Sequence, residues 1–349
     1  MSTLREGDRI SNYLLEARVG AGSFGEVWRA RHHVFKETVA VKIPTDPQYV
    51  RNLQREGVAV HGLKHPNIVR AIDLDPYANP PYFIMEYVEG PSLRAAIDRY
   101  RGDFPIPAAV EILRGMLRAL GAAHQSGLIH RDVKPANILL HHPLDDLATI
   151  TAEAVKVTDF GLGHVGGVTT QSLMQSGSML TAEGHSVAGT IAYMSPEQKE
   201  GQELDPRSDL YACGVVLCEM LTGERPQGSD VPSVARPQVP RMLDGVFQRC
   251  YTRRDRRFGS AEEVLAALEG YGRPDGLPSA VSPPAPALAG AGRRCPACSA
   301  SVEHDDQFCI HCGRQLVASV PRCPSCTAYV HAADRFCILC GKDLRVLSA

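Results

Sequence analysis

Eight of the chain's eleven cysteines lie after residue 294, arranged as four Cys-x-x-Cys pairs whose spacing repeats. Cys295, Cys298, Cys309 and Cys312 recur 28 positions later as Cys323, Cys326, Cys337 and Cys340, inside matching text (RRCPAC…QFCIHCGRQL against PRCPSC…RFCILCGKDL). A segment this short buries too little apolar surface to fold unaided, so a bound ion must supply much of its folding free energy. Two thiolate pairs ten residues apart can present four sulfurs tetrahedrally, the arrangement that suits Zn²⁺. The spacing predicts two modules, 295–316 and 323–344, within a tail of 295–345, with two structural Zn²⁺ in all. Gly313 and Gly341 follow the second pair of each copy, where the chain must turn with φ > 0. Disulfides, thiol redox chemistry and a cross-braced pairing between the two copies are the competing arrangements. Because four thiolates leave no open coordination position, the metal is expected to be structural.

The remaining composition narrows the partners. The start, MSTLREGDRI, lacks the apolar core of a secretory signal, and no run reaches the roughly 18–20 apolar residues of a membrane span. The expectation is a cytoplasmic protein with no membrane partner, where paired cysteines favour metal over bridges. The formal net charge of −2 gives no footprint for anionic polymers. Within 293–349, seven Lys and Arg face five Asp and Glu, and eight thiolates on two Zn²⁺ contribute −4, so this segment is also −2. Nucleic acid is therefore an unfavoured partner for the tail, and protein contact the favoured one.

Residues 271–294 are rich in Pro, Ala and Gly and read as an extended linker. Ahead of it, short β-branched runs (YLLEARV, EVWRARH, TVAVKI, YFIMEYV) precede helical periodicity. Within 108–124, Ile112, Leu113, Met116, Leu117 and Leu120 share one helical face. Strands followed by helices suggest a small sheet-rich lobe joined to a larger helical one, with a cleft between them. The apolar run 210–221, interrupted by Glu219, reads as a buried helix, and Cys213, Cys218 and Cys250 as core residues.

Between two of the strand-like runs lies Gly20-Ala-Gly22-Ser23-Phe24-Gly25-Glu-Val27. Glycines here let backbone N–H groups approach a triphosphate, although a Gly-rich hairpin turn explains the same text. A strand rather than a helix follows, which disfavours a dinucleotide turn. Val39-Ala40-Val41-Lys42 places one lysine at the end of an apolar strand, where a snorkelling edge residue is the plainer alternative. Glu56 lies on a helix-like stretch and could pair with it, or could be a solvated surface charge. His130-Arg131-Asp132-Val-Lys134-Pro-Ala-Asn137 and Asp159-Phe-Gly161 follow.

Taken singly these patterns are weak; in this order they resemble a eukaryotic-type serine/threonine protein kinase domain of the kind also found in bacteria. The resemblance covers about residues 10–268 and implies an α+β bilobal kinase fold, with an N-lobe over about 10–86 and a C-lobe over about 87–268. The cysteine tail resembles a double zinc ribbon. The resemblance further implies ATP with Mg²⁺ or Mn²⁺, and protein substrates with Ser or Thr acceptors. Lys42 would hold the α- and β-phosphates and Glu56 would orient it. Asp132 would accept the substrate proton beside Lys134, and Asn137 and Asp159 would carry the divalent cation. Gly20, Gly22, Ser23, Phe24, Gly25, Val27, Ala40 and Leu139 would frame the nucleotide. Met85 would stand at the gatekeeper position, and the run from Glu86 to Val88 would form the hinge that meets adenine. Glu197 would pair with Arg257, Asp209 would brace the catalytic loop, and Thr190 would contact the catalytic aspartate.

Three departures and one alternative remain open at this point. Ser195 stands where the family carries alanine. The insertion 141–154 is expected to extend a surface hairpin. The Pro-interrupted stretch 227–239 is expected to lack a helix or to keep a single turn, which puts substrate docking in doubt. Thr169, Thr170, Ser172, Ser176, Ser178, Thr181 and Ser186 offer phosphate acceptors that Arg131 could grip, so autophosphorylation within 169–186 is expected. The alternative function is an ATP-binding pseudokinase scaffold.

Overall fold

The computed structural model describes residues 4–22, 25–44, 50, 57, 60–160, 191–228 and 230–271, and in the tail 293–296, 301–302, 316, 324–325 and 342. Two compact units divide the chain, Met1–Pro278 and Ser279–Ala349.

The first unit opens with a six-stranded antiparallel sheet. Its strands are β1 (Arg9–Ile10), β2 (Tyr13–Gly22), β3 (Gly25–His32), β4 (Thr38–Ile43), β5 (Ala71–Asp75) and β6 (Tyr82–Glu86), in spatial order β1-β2-β3-β4-β6-β5. Strand β4 shows why the sequence folds this way. Val39, Val41 and Ile43 point into a core with Leu15, Trp28 and Ile84, while Ala40 joins a different cluster with Met85 and Val88. The two-residue period of a strand sends alternate side chains to opposite faces. One face thus builds the lobe core and the other carries Ala40 and Lys42. Strand β5 has no counterpart among the expected runs; its sequence AIDLD lies at the sheet edge and its residues are half-buried or exposed.

The helical part contains α1 (Leu93–Arg99), α2 (Ile106–Gln125), α3 (Pro196–Lys199), α4 (Arg207–Thr222), α5 (Pro232–Ala235), α6 (Arg241–Cys250) and α7 (Ala261–Leu268). A small hairpin of β7 (Ile138–Leu140) and β8 (Val155–Val157) lies between α2 and α3 in the sequence. Helix α2 buries the stripe its periodicity predicts, including Ile112, Met116 and Leu120. Helix α4 is buried on nearly every side, Cys213 and Cys218 included, which makes it the central element of this lobe. It ends at Gly223, whose φ of 78° is left-handed; a Cβ there would stand 2.6 Å from Gly102 N.

Two of the expected departures take definite form. Among the described residues, the stretch 227–239 holds only the four-residue α5, a single turn. The insertion 141–154 connects β7 to β8 with most of its residues exposed, as expected of a surface hairpin extension, but it is built of turns rather than longer strands. It forms 3-10 turns at Leu144–Thr149 and Ala152–Ala154; Leu147 and Ile150 join the lobe core, and Ala152 is buried. Asn67 holds it from the other side, donating through Nδ2 to the carbonyls of Ala152 (2.5 Å) and Val155 (2.8 Å). The apolar residues at 147, 150 and 152 drive this packing.

The second unit has a two-stranded antiparallel hairpin, β9 (Arg293–Arg294) with β10 (Ser301–Val302), which flanks Cys295 and Cys298 in the sequence. Cys295 is buried. Cys298, Cys309, Cys312, Cys323, Cys326, Cys337 and Cys340 lie outside the described residues, as does most of the linker.

Glu197 and Arg257, expected to pair, form a buried two-bonded bridge with distances of 2.5 and 2.9 Å, and Ser208 Oγ donates to the same carboxylate at 2.8 Å. Burial raises the Glu197 pKa, but these donors outweigh it and hold the group at about 2 against an ordinary 4.5. A carboxyl with a depressed folded pKa stabilises the fold above its unfolded value, and that contribution is lost as pH falls from about 4.5 towards 2. Glu197→Gln should therefore unfold in urea with roughly 3 kcal/mol less stability at pH 7, and its stability should fall less steeply than the wild type's between those pH values. Parallel curves for the two proteins would exclude this pair as a source of acid sensitivity.

Candidate active site

The cleft face of the sheet assembles itself through strand register. Val27 pairs with Lys42 across β3 and β4, and Ala40 pairs with Met85 across β4 and β6. Directly opposed residues share a face, so these four side chains stand together. Leu139 on β7 and Val88 beyond β6 join the same apolar cluster as Val27, Ala40 and Met85. Every apolar side chain expected to frame a nucleotide base, apart from the undescribed Phe24, belongs to this one cluster. Val69 and Phe83 also belong to it, without having been expected.

Above it, β2 and β3 close at Gly22 opposite Gly25, with Gly20 opposite Val27. Gly25 has a φ of 145°, and a Cβ there would meet Ile43 O at 2.2 Å, so no other residue fits without the backbone moving. Ser23 and Phe24 lie outside the described residues, as do Glu56, Gly161, Thr190 and the hydroxyl residues of 169–186.

Polar groups converge from distant parts of the text. Lys42 Nζ, buried on β4, donates to Asp159 Oδ1 at 2.9 Å across 117 positions of sequence. Burial raises the Asp159 carboxyl, and the charge and hydrogen bond of Lys42, with the charge of Lys134, more than offset this, leaving it below its usual value. On the loop before β7, Asp132 Oδ2 accepts from Lys134 Nζ at 2.8 Å and from Asn137 Nδ2 at 3.0 Å. Asn137 Nδ2 also reaches Asp132 O at 2.9 Å, so the amide nitrogen serves the loop while the amide oxygen makes neither of these bonds. Both Arg131 (φ 68°) and Asp159 (φ 64°) adopt left-handed backbone, a cost that surrounding structure must hold in place.

His130 connects the two strained residues. Its Nδ1 accepts from Asp132 N at 3.2 Å, its Nε2 donates to Thr158 O at 2.9 Å, and its ring packs on Phe160 with centroids 4.5 Å apart. Beneath it, Asp209 of α4 accepts from the backbone N–H groups of His130 and Arg131, both at 2.9 Å, and from His124 Nε2 at 2.8 Å.

The family model described as the protein kinase domain matches residues 13–258. The chain belongs to this family. A second model, the double zinc ribbon, matches residues 295–341. The kinase chain is 38% identical over 237 residues to the serine/threonine-protein kinase PknB of Mycobacterium tuberculosis, covering 65% of this chain and 35% of that one. It is 33% identical over 293 residues to PknH of Mycobacterium bovis, covering 78% and 46%. It thus spans less than half the length of these relatives. The crystal structure of the Mycobacterium tuberculosis PknI kinase domain is similar with a TM-score of 0.58 at 26% identity, over 76% of this chain and 99% of that one.

Several supports of the kinase site escape a reading of the sequence. Gln198 of α3 donates to Arg131 O at 2.5 Å, and the Ser195 that departs from the family forms a capping box with this same glutamine. His124 meets Asp209 from 85 positions away. Glu219, which looked like a break in an apolar run, accepts from Tyr193 Oη at 2.6 Å and Arg94 Nη1 at 2.8 Å while buried. Local text carries no mark of these pairings. Asp209→Ala leaves two loop N–H groups without their acceptor and should cost about 2–4 kcal/mol in urea unfolding, with Asp209→Asn costing less because one acceptor oxygen remains.

Proposed function

We propose that this chain is an ATP-dependent protein serine/threonine kinase, transferring the γ-phosphate to Ser or Thr hydroxyls of proteins, with a zinc-bound tail that contacts proteins. The observation that carries the reading is the 2.9 Å approach of Lys42 to Asp159, with Asp132 and Asn137 on the adjoining loop. Phosphoryl transfer needs positioned charge more than covalent chemistry, and these residues supply it.

In this reading the cluster of Val27, Ala40, Met85, Val88 and Leu139 receives the adenine ring, and the backbone of Glu86 and Val88 meets its polar edge. Lys42 exchanges its partner Asp159 for the α- and β-phosphates. Two donors on Oδ2 of Asp132 fix that carboxylate, and its other oxygen accepts the proton of the attacking hydroxyl. Lys134, bonded to the same carboxylate, lies next to the charge that builds on the transferring phosphoryl group. The Asp159 carboxylate and the Asn137 amide oxygen are hard donors that fit Mg²⁺ or Mn²⁺. Bound there, the cation would neutralise phosphate charge.

Arg131 supports the activation expected from the sequence. Its Nε is buried and has no hydrogen-bond partner among the described residues, so it is suited to an anionic group such as a phosphate within 169–186. For the tail, buried Cys295 and the hairpin around it fit a structural zinc module with one Zn²⁺ per repeat.

Incubation with labelled ATP, Mg²⁺ and a generic protein acceptor should yield phosphoserine or phosphothreonine, with phosphate also appearing within 169–186 by mass spectrometry. Asp132→Asn should lower transfer by about 10²–10⁴-fold while leaving ATP binding within a few-fold of wild type. Nucleotide binding without transfer in the unsubstituted protein would instead favour the pseudokinase scaffold. Metal analysis of the purified full chain should find two zinc per molecule, and Cys295→Ser should lose one of them.

A further inference from the structure

A cavity of about 440 Å³ shares only Glu86 with the residues assigned to the nucleotide. Its volume lies within the range of small-molecule sites, roughly 300–1,000 Å³. Leu63 and Ile68, both buried, give it an apolar floor. The wall is held rigidly: Ile68 bridges Val157 of β8, Val69 N donates to Val157 O at 3.0 Å, and Glu86 N donates to Arg70 O at 2.9 Å.

The charge around this floor is lopsided. Among the described residues, Lys64, Arg70 and Lys156 line it against the single carboxylate of Glu86. That carboxylate is occupied on both oxygens, by Lys156 Nζ at 2.6 Å and by Arg70 N at 3.2 Å. Among the described residues the Arg70 guanidinium reaches only Glu37, at 3.7 Å, and both side chains are about 60% exposed, a geometry worth little in water. Lys64 is exposed and makes no ion pair among the described residues. His65 accepts at Nδ1 from Asn67 N at 3.1 Å, which leaves Nε2 as a donor. Burial and the charges of Arg118 and Lys156 lower its pKa, so the ring is neutral at pH 7 and does not add to the excess. Two positive charges in the lining remain unbalanced above an apolar floor.

We propose that this cavity binds a small phosphate monoester, its organic body on Leu63 and Ile68 and its dianionic phosphate held by Lys64, Arg70 and Lys156. A monoester carries about −1.5 to −2 at pH 7 and three acceptor oxygens, which matches the surplus in sign and size. Glu86 competes with the ligand for Lys156, so the site is weakened by the carboxylate that lines it. The assignment is independent of the kinase activity, because none of the three cations belongs to the nucleotide cleft.

The experiment uses the full chain with its nucleotide cleft filled by a non-hydrolysable ATP analogue and Mg²⁺, titrated calorimetrically with phenyl phosphate. Saturable one-site binding is expected, accompanied by shifts of the His65 ring resonances. The double variant Lys64→Gln, Arg70→Gln should weaken it at least tenfold; both positions are exposed, and an unchanged melting temperature verifies that the fold is intact. Glu86→Gln should tighten it three- to tenfold. Absence of saturable binding, indifference to the double variant, or weaker binding in Glu86→Gln would each overturn the proposal. So would binding of an acidic peptide in place of phenyl phosphate, which would make this face a protein-docking surface.

Discussion

Three N–H groups converge on the Asp209 carboxylate, which is 1% exposed in the first turn of the most deeply buried helix. An isolated carboxylate so placed would be prohibitively costly, and its hydrogen bonds are what make it tolerable. The helix N-terminus further favours the negative charge. Two of the donors are consecutive backbone groups, His130 and Arg131, so Asp209 fixes both the position and the direction of the loop that follows. The left-handed conformation of Arg131 persists because Gln198 grips its carbonyl while Asp209 grips its amide. From His130 the constraint passes through Thr158 and Phe160 to both sides of Asp159 in sequence, and so to the partner of Lys42. One buried charge thereby orders polar groups of the candidate site drawn from two segments of sequence.

The sheet contributes by parity alone. In TVAVKI the odd-numbered valines and isoleucine complete the lobe core, and the even-numbered Ala40 and Lys42 face the cleft. A register slip of one residue between β3 and β4 would bury Lys42 in the core and expose Val41, a change penalised on both faces. Packing energy and site geometry therefore cannot be separated in this strand. The small side chain of Ala40 stands opposite Met85 on the other face, in the cluster with Val88.

This explains which parts of the site were legible in the text. Residues that act within one short motif announce themselves: Asp132, Lys134 and Asn137 keep fixed spacing because one turn of loop and one 3-10 turn bring them together. Lys42 is legible because strand alternation fixes its face. What stays hidden is held by long-range pairing. His124 and Lys156 look like ordinary polar residues until the fold sets them 2.8 Å from Asp209 and 2.6 Å from Glu86. The anchoring of the insertion 141–154 was hidden for a related reason. Leu147, Ile150 and Ala152 follow neither strand nor helix period, and their burial, with the Asn67 bond, anchors a segment that is otherwise mostly exposed.

The short stretch after α4 raises the question of how the lobe closes without a longer helix. Arg236, immediately after α5, donates through Nη1 to Phe104 O at 2.7 Å and Leu221 O at 3.2 Å. One guanidinium therefore satisfies a carbonyl in the last turn of α4 and one in the loop before α2, groups a neighbouring helix would otherwise have to shield. Asp244 of α6 accepts from Ser233 N and Oγ at 2.9 and 2.5 Å, fixing α5 at its other side. The lobe is thus sealed by polar clamps, while Val234 remains 70% exposed on the single turn. Closure of the lobe beside this single turn therefore rests on Arg236 and Asp244 rather than on apolar cover.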